Sequence, residues 1–95
     1  MYAVVFDIDT NCISGNSNTP SYPNAYGDIR KFMEANHFVW QQRSLYFGDA
    51  TVNAVTCVMT IQALSRTYSW LSICVRDIRM LRIEENNDLL PAVRV

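Results

Sequence analysis

The sequence predicts an α+β domain with its elements in the order strand, helix, strand, strand, helix, strand. Three observations carry this. An apolar run opens the chain at Tyr2–Phe6, two amphipathic helical patterns follow at 22–36 and after 51, and two short strand-like runs lie close together between them. A split βαββαβ order of this kind builds a four-stranded antiparallel sheet with both helices on one face.

The first run, Tyr2-Ala3-Val4-Val5-Phe6-Asp7-Ile8-Asp9, lacks helical spacing and is rich in β-branched and aromatic residues. It reads as a buried strand. Asp7 falls at or near its end, where a carboxylate is costly unless it is solvated, hydrogen-bonded or bound to a cation. Residues 9–22, crowded with Asn, Ser and Thr, read as a long polar loop able to close over whatever sits at Asp7. Ser21 or Tyr22 then precedes Pro23, and Tyr22, Tyr26, Ile29, Phe32 and Met33 recur at helical spacing towards Asn36.

His37–Gln41 and Ser44–Phe47, joined by Gln42-Arg43, imply a hairpin. Gly48–Thr51 supplies a turn and helix cap, and Val52, Val55, Val58, Met59, Ile61 and Leu64 form a broad apolar face on the longest helix. Leu71 to Ile78 keeps a helical spacing, whereas Arg79–Glu84 alternates as a last strand, with Leu81 and Ile83 expected to face the core. Residues 86–95 form a tail whose Leu89, Leu90 and Val93 suit a partner's surface. This is the ferredoxin-like arrangement. The second face of its sheet is expected to lie uncovered within one chain, so that two copies cover each other or pair along an edge.

Ninety-five residues make one domain spanning 1–95, and 49% hydrophobic content leaves an apolar surface over, which points to a homodimer. A net charge of -1 excludes a generally basic nucleic-acid binder, yet the cations are almost all arginine, Lys31 being the single lysine. Arginine suits fixed recognition of phosphate or carboxylate. Cys12, Cys57 and Cys74 are odd in number and widely spaced, so they read as reduced thiols. With no leader-like segment or membrane-length apolar run, the expectation is a cytoplasmic protein.

Asp7 and Asp9 invite comparison with haloacid-dehalogenase-type phosphatases, which begin with Asp-x-Asp-x-Thr. That comparison fails because Asn11 stands where the threonine belongs. Metal-assisted phosphodiester cleavage fits better, because magnesium prefers carboxylate oxygens and water. Asp7 is the stronger candidate ligand and Asp9 the weaker, its plainer reading being a solvated turn residue. His37 is the single histidine, so a histidine acid–base pair within one chain is excluded. The last strand runs antiparallel to the first, which brings Arg76 and Arg79 towards Asp7. They would hold phosphate there, although Arg76 with Asp77 equally suits an ion pair. Arg43, Ser44 and Tyr46 at the hairpin are candidates for phosphate or base contacts, with packing the plainer role for Tyr46.

Met1–Asp7, Ala25-Tyr26-Gly27-Asp28-Ile29, Gln42-Arg43-Ser44-Leu45-Tyr46, and Val75–Arg79 with Arg82-Ile83-Glu84 together resemble virulence-associated protein D (VapD) of bacteria. The resemblance spans nearly the whole chain. It implies a ferredoxin-like homodimer similar to the small CRISPR-associated adaptation nuclease, and a toxin-like endoribonuclease of toxin–antitoxin operons. It assigns catalysis to the acid matching Asp7, with the hairpin serine matching Ser44 nearby. The chain departs from the family pattern where Arg43 replaces the usual glycine. The competing expectation is an RNA- or protein-binding dimer without turnover.

Overall fold

Alternation along the opening strand decides the architecture. In the computed structural model, which describes residues 1–15 and 22–94, β1 (Tyr2–Ile8) turns Val4, Phe6 and Ile8 into the core and leaves Asp7 exposed on the other face. The remaining elements are α1 (Thr10–Gly15), α2 (Tyr22–Ala35), β2 (Phe38–Gln42), β3 (Leu45–Gly48), α3 (Ala54–Thr67), α4 (Trp70–Cys74), β4 (Val75–Arg82) and α5 (Leu90–Val93). The four strands form one antiparallel sheet in the order β2-β3-β1-β4, the ferredoxin-like arrangement.

The core lies between the sheet and the two long helices. Ala25, Ile29 and Met33 recur every four residues along α2 and are fully buried, and Cys57 and Leu64 do the same service on α3. Phe6 stacks on Tyr46 from the neighbouring strand, with ring centroids 5.9 Å apart. Gly48 ends β3 where nothing larger fits, because a Cβ there would come within 2.8 Å of the Val52 side chain. Asn53 caps α3 in a reciprocal box with Thr56, just past the Gly48–Thr51 stretch expected to supply the cap. Asp49 instead folds back on Thr51, whose backbone N–H donates to its carboxylate at 2.8 Å.

Several expectations need correction. Residues 10–15 are helical rather than loop, because the Asp9 carboxylate accepts the backbone N–H groups of Asn11 and Cys12 at 3.0 and 3.3 Å and so caps α1. The rest of the expected loop, residues 16–21 with the Ser21 helix start, lies outside the described residues, as does Val95. The left-handed residue beyond α2 is His37, at φ 71°, and the Asn36 side chain donates to the Phe32 carbonyl. Cys12 and Cys74 are not reduced thiols but a disulfide; α1 and α4 pack together, which a separation of 62 residues conceals in the sequence. Cys57 is the free, buried cysteine. The cysteine content therefore no longer speaks for a reducing compartment.

The last strand also begins earlier than its alternation suggested. α4 ends at Cys74 and β4 starts at Val75, so Met80 pairs with Val4 and Ile78 with Phe6 on the helix side, whereas Leu81 pairs with Ala3 on the opposite face. That opposite face is not bare. Asn86–Leu89 of the tail line a cleft with Gln41, Leu45 and Phe47, and so shield part of it. No helix among the described residues is long and apolar enough to cross a membrane.

Candidate active site

Antiparallel pairing gathers one end of β1, the β2–β3 turn and the start of β4 at the same end of the sheet. There a cleft of about 570 Å3 is lined by Asp7, Thr10, Tyr26, Arg43, Ser44 and Arg76, among others. The backbone N–H of Phe6 donates to the Ser44 carbonyl at 3.2 Å, which holds the hairpin turn beside Asp7. The backbone N–H of Asp9 donates to the Cys74 carbonyl at 2.9 Å, and with the disulfide this ties the exit of β1 to the entry of β4.

The Asp7 side chain is 64% exposed and faces the Arg76 guanidinium, with Oδ2 3.7 Å from Nε. A carboxylate so placed is solvated and bears no burial cost. Asp77 stands opposite Asp7 in the β1–β4 register, and its carboxylate is taken by Arg79 at 3.1 and 3.2 Å. The ion pairs are therefore Asp7 with Arg76 and Asp77 with Arg79, not Arg76 with Asp77. A bulge between Asp7 and Ile8 breaks the register here. Bulges of this kind re-aim side chains at strand ends.

The remaining candidates are distributed unevenly. Ser44 and Arg43 line the cleft with Asp7. Arg43 adopts φ 44°, the left-handed region, which accounts physically for a glycine being the ordinary occupant of such a turn. Arg79 lies on the same face as Asp7 but is engaged with Asp77. Tyr46 is 1% exposed and packs in the core, where burial pushes its phenol up to about 12, so it stays protonated at neutral pH. Asp9 spends one carboxylate oxygen on the α1 cap. His37 pairs with Asp49 at 3.3 Å at the opposite end of the sheet, far from Asp7.

Tyr26 and Thr10 also line the cleft, and neither was legible as a site residue. Tyr26 reads in the sequence as part of an apolar helical stripe, and only the seating of α2 over the hairpin brings it to that end. Among the described residues no group of three or more His, Cys, Asp or Glu side chains converges as a preformed metal cage.

No family model matches the chain. Individual relatives do. The chain is 57% identical over 95 residues to a Helicobacter pylori protein described as an endoribonuclease VapD homolog, covering all of this chain and 98% of that protein. It is 55% identical over 93 residues to endoribonuclease VapD 2 of Riemerella anatipestifer, covering 98% and 99% of the two chains. Identity to endoribonuclease VapD of Dichelobacter nodosus is 33% over 94 residues, again nearly end to end. With the fold and the Asp7 cleft in place, these full-length similarities establish that the chain belongs to the VapD endoribonuclease family.

Proposed function

We propose that this protein is an endoribonuclease that cuts RNA phosphodiester bonds as a homodimer, acting in the cytoplasm as the toxin of a toxin–antitoxin pair. The observation that carries the reading is an exposed carboxylate, Asp7, facing Arg76 in a cleft that also holds Ser44 and Arg43. Such a cleft supplies what phosphodiester hydrolysis needs: an acceptor to orient the attacking water and fixed positive charge for the phosphate. Arg76 and Arg43 balance charge on the non-bridging oxygens, and the Ser44 hydroxyl donates to phosphate. Arg79 joins them when phosphate competes with Asp77.

Magnesium suits the donor set, because it binds through one or two carboxylates plus waters and substrate phosphates rather than through an all-protein cage. Asp7 would hold it, with Asp77 opposite and Asp9 the weaker donor. When bound it supplies Lewis-acid polarisation of the phosphate. Dimerisation is supported by the apolar side chains left exposed on α3 and β4, namely Val55, Val58, Met59, Ile78 and Met80. A protein antitoxin is the expected further partner.

The test incubates wild-type and Asp7→Asn protein with single-stranded and structured RNA, with and without EDTA, and maps the product ends. Cleavage is expected to fall by about 100-fold or more in the variant while its circular dichroism spectrum stays unchanged. Equal rates would overturn the nuclease assignment. Stoichiometric binding of RNA recovered uncut would favour a binding dimer without turnover.

A further inference from the structure

A second cleft, of about 220 Å3, opens between α2 and the β2–β3 hairpin and is lined by Tyr26, Gly27, Arg30, Trp40, Arg43 and Tyr46. Tyr26 and Arg43 line both this cleft and the one at Asp7, so the two adjoin one another across those side chains. We propose that the second cleft is a nucleobase-stacking subsite, which holds an unpaired base of the RNA strand whose neighbouring phosphate lies at Asp7. The proposal rests on the RNA-cleaving reading and assigns that strand a path along the hairpin.

The walls of the cleft suit a flat aromatic ligand. Trp40 sits on an edge strand with 39% of its surface exposed, although it pairs with the buried Tyr46. The Arg30 guanidinium lies 4.5 Å from the centroid of the Trp40 ring and is anchored by Glu34 at 2.6 Å. Indole rings and guanidinium planes are the surfaces on which unpaired bases stack. The indole N–H donates to the Arg43 carbonyl at 2.8 Å. That bond fixes the ring's orientation and ties it to the turn that borders the Asp7 cleft. Arg43, one of the two shared residues and the charged one, is placed to meet the phosphate between the two positions.

Gly27 is a separate observation. A glycine inside a helix costs about 0.5–1 kcal/mol relative to alanine, and here nothing lies within 4 Å of where a Cβ would stand. Packing therefore does not demand glycine at 27. What its missing side chain provides is room in the cleft. At the floor, the protonated Tyr46 phenol offers a hydrogen-bond donor to the edge of a base.

The test measures binding without turnover. A fluorescently labelled 2′-O-methyl RNA hexamer is titrated with wild-type, Trp40→Leu, Trp40→Phe and Gly27→Leu proteins, with anisotropy as the readout. RNA cleavage is assayed in parallel. Trp40→Leu, which removes the stacking plane, and Gly27→Leu, which fills the cleft while favouring the helix, are each expected to weaken binding about tenfold or more. Trp40→Phe keeps a ring and is expected to stay within about twofold of wild type. Binding unchanged in both leucine variants, binding lost as fully in Trp40→Phe as in Trp40→Leu, or no binding by the wild type would overturn the subsite. Trp40-dependent binding by a protein that cuts no RNA would leave the subsite standing and remove the nuclease reading. Cleavage with unchanged binding in the leucine variants would do the reverse.

Discussion

Asp7 and Asp77 stand directly opposite one another on neighbouring strands, and each is met by a different arginine. Like charges directly opposite in a sheet are destabilising. The two guanidiniums offset that repulsion, and the pairs differ in tightness. Arg79 holds Asp77 at 3.1 and 3.2 Å, whereas Arg76 stands 3.7 Å from Asp7. On the proposed reading, the looser pair is the one expected to open to an incoming phosphate.

Arg76→Gln is therefore expected to slow RNA cleavage by about tenfold or more, as loss of a cation at a developing phosphate charge does. Arg79→Gln is expected to slow it less, since its guanidinium is already engaged. Both side chains are largely exposed, so denaturant unfolding should show less than about 1 kcal/mol lost in either variant. An equal loss of activity in the two variants would contradict the assignment of the reactive phosphate to the Asp7–Arg76 pair.

Arg43 presents a conflict between backbone and charge. At φ 44° an L-residue is disfavoured by about 1–2 kcal/mol, and replacing it with glycine recovers that while adding roughly 0.5–1 kcal/mol of unfolded-state entropy. Arg43→Gly is expected to be more stable by about 0.5 kcal/mol in urea unfolding, from the difference of these two terms. RNA binding should nevertheless weaken, and the salt dependence of binding should become shallower as a phosphate contact is lost. Greater stability with unchanged binding would leave Arg43 a local irregularity of the turn.

The approach of Arg76 to Asp7 at one end of the sheet was legible in the sequence, because antiparallel order alone brings the end of the first strand to the start of the last, whereas the nearness of Ser44 rested on the resemblance to the family and that of Arg43 emerged only in the structure. What the sequence concealed depends on packing between distant segments. Tyr26 and Trp40 reach their clefts only through the seating of α2 on the hairpin, and the Asn- and Ser-rich composition of 10–21 gave no sign of a helix at 10–15 that is held by Asp9 and a disulfide. The early start of β4 was hidden because Leu71 to Ile78 keeps a helical spacing through the helix–strand junction at Cys74 and Val75.

The Cys12–Cys74 disulfide closes 62 residues of chain. A loop of that length should stabilise the fold by about 4 kcal/mol through the unfolded state. Urea unfolding with and without reductant, or in Cys12→Ser, is expected to differ by that order. Thiol titration of the denatured, unreduced protein should find one reactive group, Cys57, and three after reduction. Three thiols before reduction would remove the cross-link.

Tyr46 makes a prediction at alkaline pH. Its phenol is raised from 10.0 to about 12, chiefly by burial, with the Arg30 charge opposing that rise. The folded state thus favours the neutral form. Its contribution is complete below the ordinary value of 10.0 and is lost as pH rises towards about 12, where the folded phenol ionises as well. The full effect is at most about 3 kcal/mol. Tyr46→Phe keeps the ring stacked on Phe6 and is expected to be within about 1 kcal/mol of wild type at pH 7. At pH near 11 the variant should gain on wild type, since it carries no phenol to ionise on unfolding. Urea unfolding at the two pH values reads the difference, and ultraviolet titration should show one of the five tyrosines ionising late in the wild type alone. The same stability difference at both pH values would mean that the phenol is solvated, and would remove the buried donor from the floor of the cleft beside Trp40.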